Sequence, residues 1–212
     1  MSKQLLNKFF KENTVKKNIP TAQAIAHFHI ELENNPEANE KIQGLFNEEI
    51  FKSQPKREEK VLAEKNEIES ATTYEQIINF MRRDTDPMNR NVLINKAMEF
   101  ENDIVPDILK RLKTSLNDGF TETAIRVLAK SGKDIVEELI GYFDDIRNPY
   151  AQSMVLVLLG FKTDETHIPW FIKQYDKLKK LYPNETYCEG AYYALYEIEN
   201  RFYFSGKEQN SK

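Results

Sequence analysis

The chain has 212 residues, 40% apolar and 30% charged, and its 30 basic side chains against 34 acidic ones leave a net charge of −4. That is enough chain to bury a substantial core, and its charge balance is the opposite of what a phosphate backbone rewards. A single cysteine, Cys188, excludes an internal disulfide and a cysteine-rich metal cluster, and seven glycines argue against a turn-dense β architecture or a phosphate-cradling loop.

The chain opens with Leu5, Leu6, Phe9 and Phe10, the spacing of a short amphipathic helix rather than a signal core, so a cytoplasmic location is expected. Thr21 is placed to cap a second helix carrying Ala22, Ile25, Phe28 and Leu32. Residues 26–32 also alternate as a strand would, but the weak strand formers around Ala22, Ala24 and Ala26 favour helix. Ile42, Leu45, Phe46, Ile50 and Phe51 predict a third helix. Residues 52–70 are the most charged stretch, anchored only by Val61, Leu62 and Ile68, and read as a charged linker or a weakly packed helix.

From residue 71 onward the chain repeats. Ile104, Ile135 and Ile168 are each expected to open a helix, and they lie 31 and 33 residues apart. Asp103 and Asp134 stand where N-caps of the first two are expected. Between these openings lie further helical segments over Val92–Phe100, Thr121–Lys130, Tyr150–Phe161 and Tyr187–Phe202, with breaks at Asp86-Pro87, Asp118-Gly119, Ser131-Gly132, Asn148-Pro149 and Pro183-Asn184. Ile135, Val136, Leu139, Ile140, Phe143 and Ile146 form a helical stripe. Ala151–Phe161 is apolar almost all round, which predicts a helix covered on both sides. It belongs to the longest uncharged run, Asn148–Phe161, which is well short of the roughly 20 residues a membrane span needs. Cys188, Gly190, Ala191 and Ala194 are small enough to let a neighbouring helix come close. Helix, turn and helix at this period predict an all-α fold organised as an α-solenoid.

Asp86-Pro87-Met88-Asn89-Arg90 resembles the opening of a HEAT-like repeat, and Asn148-Pro149-Tyr150-Ala151-Gln152 takes the same place two repeats on, with Gln where Arg is usual. Ala124-Ile125-Arg126-Val127-Leu128-Ala129-Lys130-Ser131-Gly132 and Leu156-Val157-Leu158-Leu159-Gly160 resemble the helix ending of the phycobilisome-lyase type of HEAT-like repeat. The resemblance covers residues 72–203 and implies a solenoid of helix pairs; for function it implies little, since such repeats serve scaffolds, regulators and a few enzymes. The expected organisation is an N-terminal helical segment over 1–70 with the charged linker at 52–70, a HEAT-like repeat domain over 71–204 and a disordered polar tail at 205–212.

His27, His29 and Glu31 would share a face only on a strand; on a helix, residues two apart cannot chelate one ion, so no metal is assigned. The acid pairs Glu137-Glu138, Asp144-Asp145 and Asp164-Glu165 sit at helix ends, where solvated acids are ordinary, and no catalytic residue or cofactor is assigned. Basic groups at Arg82-Arg83, at Lys110, Arg111 and Lys113, and at Lys173, Lys177, Lys179 and Lys180 read as solvated faces. The aromatic residues are more informative. Trp170, Tyr175, Tyr192 and Tyr196 belong to an unusually tyrosine-rich C-terminal region, which suits either a half-exposed cap or a contact surface.

The expected binding surface is Trp170, Lys173, Tyr175, Lys177 and Lys180 on one helix with Tyr192 and Tyr196 on the next, aromatic anchors with a positive rim that suit an acidic protein or peptide. The expected function is a non-enzymatic scaffold or regulator, with no membrane or nucleic-acid partner. The alternative is a DNA-repair enzyme of the HEAT-like alkylpurine DNA glycosylase type, which needs a basic groove and lesion-facing aromatics that one tryptophan and an acidic chain supply poorly.

Overall fold

A computed structural model describes residues 2–15 and 19–204; 79% of these described residues are helical and none is in a strand. The helices are α1 (Ser2–Glu12), α2 (Ala22–Glu33), α3 (Pro36–Ser53), α4 (Pro55–Glu69), α5 (Tyr74–Arg82), α6 (Arg90–Met98), α7 (Glu101–Leu112), α8 (Asp118–Lys130), α9 (Val136–Gly141), α10 (Pro149–Lys162), α11 (Ile168–Leu181) and α12 (Glu189–Glu199). Short 3₁₀ turns cover Pro87–Asn89, Phe143–Asp145 and Glu165–His167, and a π turn, Asn200–Phe204, follows α12. The polar tail expected at 205–212 lies outside the described residues.

Residues 26–32 are helical, within α2. Gln23, Ala26, His27, Ile30 and Glu33 are its buried positions, a helical stripe that leaves Ile25 and Phe28 outside. Thr21 caps the helix through Ala24 N–H. Residues 55–69 are not a linker but α4, because Val61 and Ile68, two turns apart, are both buried beneath the charged surface. Two other expectations need correction. Asp103 is not an N-cap: α7 starts two residues earlier, and Asp103 lies in its first turn, where an acid complements the positive helix end. The stripe from Ile135 to Ile146 is not one helix, since α9 stops at Gly141 and a 3₁₀ turn carries Phe143 into the core.

Contacts divide the chain into two compact units, His29–Lys133 and the remainder on either side of it. This division differs from the boundary expected at residue 70, because α1 packs on α11 and α12 while α4 packs on α6.

Within His29–Lys133, α6 packs on both α4 and α8, and α5 packs against α6, α7 and α8. The turn before α6 is fastened from several sides. Asp86 accepts the Met88 N–H at 3.0 Å and takes a two-point ion pair from Arg57 at 3.0 and 3.1 Å, while Asn89 donates to the Val61 carbonyl at 2.9 Å. Thr73 and Gln76 make a reciprocal capping box on α5, and Asn117 caps α8 through the Phe120 N–H at 2.7 Å. Ile125 and Leu128 of α8 are fully buried.

In the other unit α10 is the central helix, with every residue from Ala151 to Gly160 buried. It packs on α12 at very short range, and glycine makes that possible. A β-carbon on Gly160 would stand 2.5 Å from the Ala194 α-carbon, closer than any real packing allows. Arg201, just past α12, donates to the Gly160 and Thr163 carbonyls, so the loose end of α10 is capped by its neighbour.

Candidate interaction surface

Consecutive helix residues are about 100° apart, so α11 sorts its side chains into two faces. Ile168, Phe171, Gln174, Tyr175 and Leu178 are buried. Trp170, Lys173, Lys177, Lys180 and Leu181 fall on the opposite side, which is half-buried at Trp170 and Lys177 and open at the other three. Leu181, 57% exposed, was not singled out from the sequence; its distance of eleven residues from Trp170, three helical turns, was the available signal.

The start of the helix is set locally. Asp164 accepts the Thr166 N–H at 2.9 Å and meets His167 Nδ1 at 3.1 Å, and Pro169 occupies a first-turn position where its missing N–H costs nothing. Those hydrogen bonds, the Thr166 hydroxyl first, hold the Asp164 carboxyl below its ordinary range. Lys179 and Lys180 lie in the last turn, where cations complement the carbonyl end. Trp170 packs edge-on against Phe143, with ring centres 5.2 Å apart, and Lys177 donates to Asp144 at 2.6 Å. Both contacts are made to the same 3₁₀ turn, so part of the face already holds an aromatic ring and a carboxylate from its own chain. Lys173, Lys180 and Leu181 remain open, with Asp176 on the same side.

The other expected surface residues are placed elsewhere. Tyr175 is only 7% exposed and packs edge-on to Phe9 of α1 at 4.9 Å, so it is a core residue rather than part of the surface. Burial pushes its phenol up to about 12. Tyr192 meets Phe10 at 5.2 Å and Phe9 at 6.0 Å and is half-buried under α1. Tyr196, 43% exposed, belongs to a third cluster. There the buried His27 ring packs against Phe161, Tyr193 and Tyr196, and His27 Nε2 meets Glu197 Oε2 at 3.1 Å. The structure therefore brings Trp170 and the three lysines together but distributes the tyrosines between α1 and His27. Among the described residues no group of three His, Cys, Asp or Glu side chains is placed to hold a metal ion, and no helix is long and apolar enough to cross a membrane.

Comparison of the chain with protein families, with curated proteins and with solved structures found no match.

Proposed function

We propose that this chain is a non-enzymatic interaction protein built from HEAT-like helix pairs, and that it takes an acidic segment of a protein partner on the outer face of α11. The succession of α4, α6 and α8, with α5 packed across α6, α7 and α8, supports a solenoid reading of residues 55–130. The observation that carries the function is the α11 face: Trp170 and Leu181 bracket Lys173, Lys177 and Lys180 on a chain whose net charge is −4. Lys177 already binds the Asp144 carboxylate there, which is the contact a partner's acid would reproduce at Lys173 and Lys180. Apolar anchors with a positive rim favour a short acidic amphipathic segment, with the lysines steering its approach.

A synthetic peptide alternating glutamate with leucine is the direct probe. Saturable binding is expected, weakening as salt rises, with at least a tenfold loss in the Lys173→Glu/Lys180→Glu variant. Equal binding by that variant would refute the reading. Duplex DNA titrated under the same conditions tests the glycosylase alternative, and binding of DNA in preference to the peptide would favour it.

A further inference from the structure

A second candidate site is built from residues of His29–Lys133 alone. A cleft of about 490 Å³, within the usual range for small-molecule sites, lies between the ends of α5 and α7 and the start of α8. Its walls are Arg82 from α5, Arg111 from α7, Thr114, Ser115 and Leu116 from the connecting turn, and the Asn117 cap of α8. Asn117 fixes this geometry. Its Nδ2 donates to the Arg82 carbonyl at 3.1 Å, its Oδ1 takes the Phe120 N–H at 2.7 Å, and its own N–H goes to Ser115 Oγ at 3.2 Å. The end of α5 is thereby tied to the turn that follows α7, and arginines from two helices border one opening.

The lining donates far more than it accepts. Arg111 spends Nε on Asp107 Oδ2 at 2.6 Å and keeps both of its NH₂ groups. Arg82 pairs with no carboxylate among the described residues and keeps its whole donor fork. Ser115 Oγ accepts from Asn117 and retains its O–H, while the Thr114 hydroxyl bonds to no other described residue. The Asn117 side-chain oxygen is already occupied. Among the described residues no carboxylate lines the cleft, and Asp107 reaches it only through Arg111. The charges next to it in sequence balance, Lys110 and Lys113 against Asp84 and Asp118, and Arg83 is paired with Glu67 at 3.6 Å. An arginine in the last turn of a helix complements the carbonyl end, which accounts for Arg82 and Arg111 taken singly. It does not account for both bordering one open cleft whose remaining free polar groups are hydroxyls.

Guanidinium forks and hydroxyls without a free carboxylate are the partners of an oxyanion. A carboxylate presents its oxygens in one plane, fewer than the donors supplied here from two helices and a turn. A phosphoryl group presents three strong acceptors in a tetrahedral arrangement. The donors are side chains, so no glycine-rich loop is needed. The cleft is also larger than a bare phosphate ion, and Leu116, 78% exposed, gives it an apolar side. We propose that this cleft binds a small phosphate monoester, its phosphoryl oxygens on Arg82 and Arg111 and its organic part against Leu116.

The test titrates the full chain with phenyl phosphate, inorganic phosphate and benzoate, read by calorimetry and by the shift in unfolding temperature. Phenyl phosphate should bind saturably and weaken as salt rises. Benzoate (the same ring on a carboxylate) should be at least tenfold weaker, and inorganic phosphate (the same oxyanion without the ring) at least threefold weaker. Arg82→Gln, at an exposed position, should fold normally and lose at least tenfold in phenyl phosphate affinity. Arg83→Gln makes the same change of charge one residue away, outside the cleft, and should alter that affinity less than twofold. Saturation by none of the probes, benzoate or inorganic phosphate binding as tightly as phenyl phosphate, undiminished binding by Arg82→Gln, or an equal loss in Arg83→Gln would each overturn the proposal.

Discussion

A β-carbon added to Gly190 would stand 2.1 Å from the main-chain carbonyl oxygen of Ser153, so α12 crosses α10 with backbone against backbone. The Ser153 hydroxyl belongs to the same crossing: it donates to the Tyr187 carbonyl at 2.7 Å and accepts from Gln23 at 3.0 Å. Since the obstructing atom is main chain, no side-chain rotation can relieve the clash.

Gly190→Ala should therefore destabilise the protein by about 1–3 kcal/mol, the usual cost of overpacking, even though alanine is the better helix former by about 1 kcal/mol. Gly160→Ala should behave alike. Gly141→Ala, where the added carbon meets nothing within 4 Å, is the control and should be near neutral. Urea unfolding of the three variants decides, and a stabilised Gly190→Ala would show that the helices can separate cheaply.

Removing Glu33 leaves Arg126 buried without its carboxylate, and removing Arg126 leaves the buried Glu33 with only the more distant Lys130. Glu33→Leu or Arg126→Met should each cost about 3–5 kcal/mol, whereas the two combined should recover most of that loss. A double variant as unstable as the sum of the two singles would mean that the pair is not coupled in the folded chain.

His29 predicts a pH dependence. Its folded-state pKa is about 4 against 6.5 for the free side chain, so between these values the unfolded chain binds a proton that the folded chain refuses. Its effect on stability is nil above pH 6.5, becomes progressively destabilising as pH falls toward 4, and is constant below that. Replacing His29 with Gln should flatten the stability profile between pH 5 and 6.5, a window that most carboxylates leave undisturbed. Denaturant midpoints measured across that window in both proteins would reveal it, and parallel profiles would exclude His29 as the source.

Cys188 should be a slow nucleophile. Its thiol is pushed up chiefly by burial and then by Glu189, against the opposing pull of Lys179. Because the thiolate is the reactive form, iodoacetamide at pH 7.5 should label the native chain at least tenfold more slowly than the urea-unfolded chain. Equal rates would place the sulfur in open solvent.

Much of the helix content could be read from local pattern. Ala151–Gly160 announces a covered helix by being apolar in every direction, and Gly190, Ala191 and Ala194 announce close approach by being small. Other features depend on distant partners. Residues 55–69 read as a possible linker because charges outnumber apolar positions, yet Val61 and Ile68 suffice once α6 supplies a surface. Tyr175 and Tyr192 look like surface anchors until Phe9 and Phe10, more than 160 residues earlier, cover them. Glu33 and Arg126 are 93 residues apart and carry no shared motif, so neither signals the other.

The packing of Trp170 on Phe143 has a practical consequence. It is the only tryptophan in the chain, it lies on the lysine-bearing side of α11, and it falls in the unit that excludes His29–Lys133. Its emission is thus a built-in optical reporter, selectively excited near 295 nm, for one unit and for one surface of it. A peptide settling between Trp170 and Leu181 should shift that emission to shorter wavelength. Intrinsic fluorescence can then follow peptide binding with no added dye.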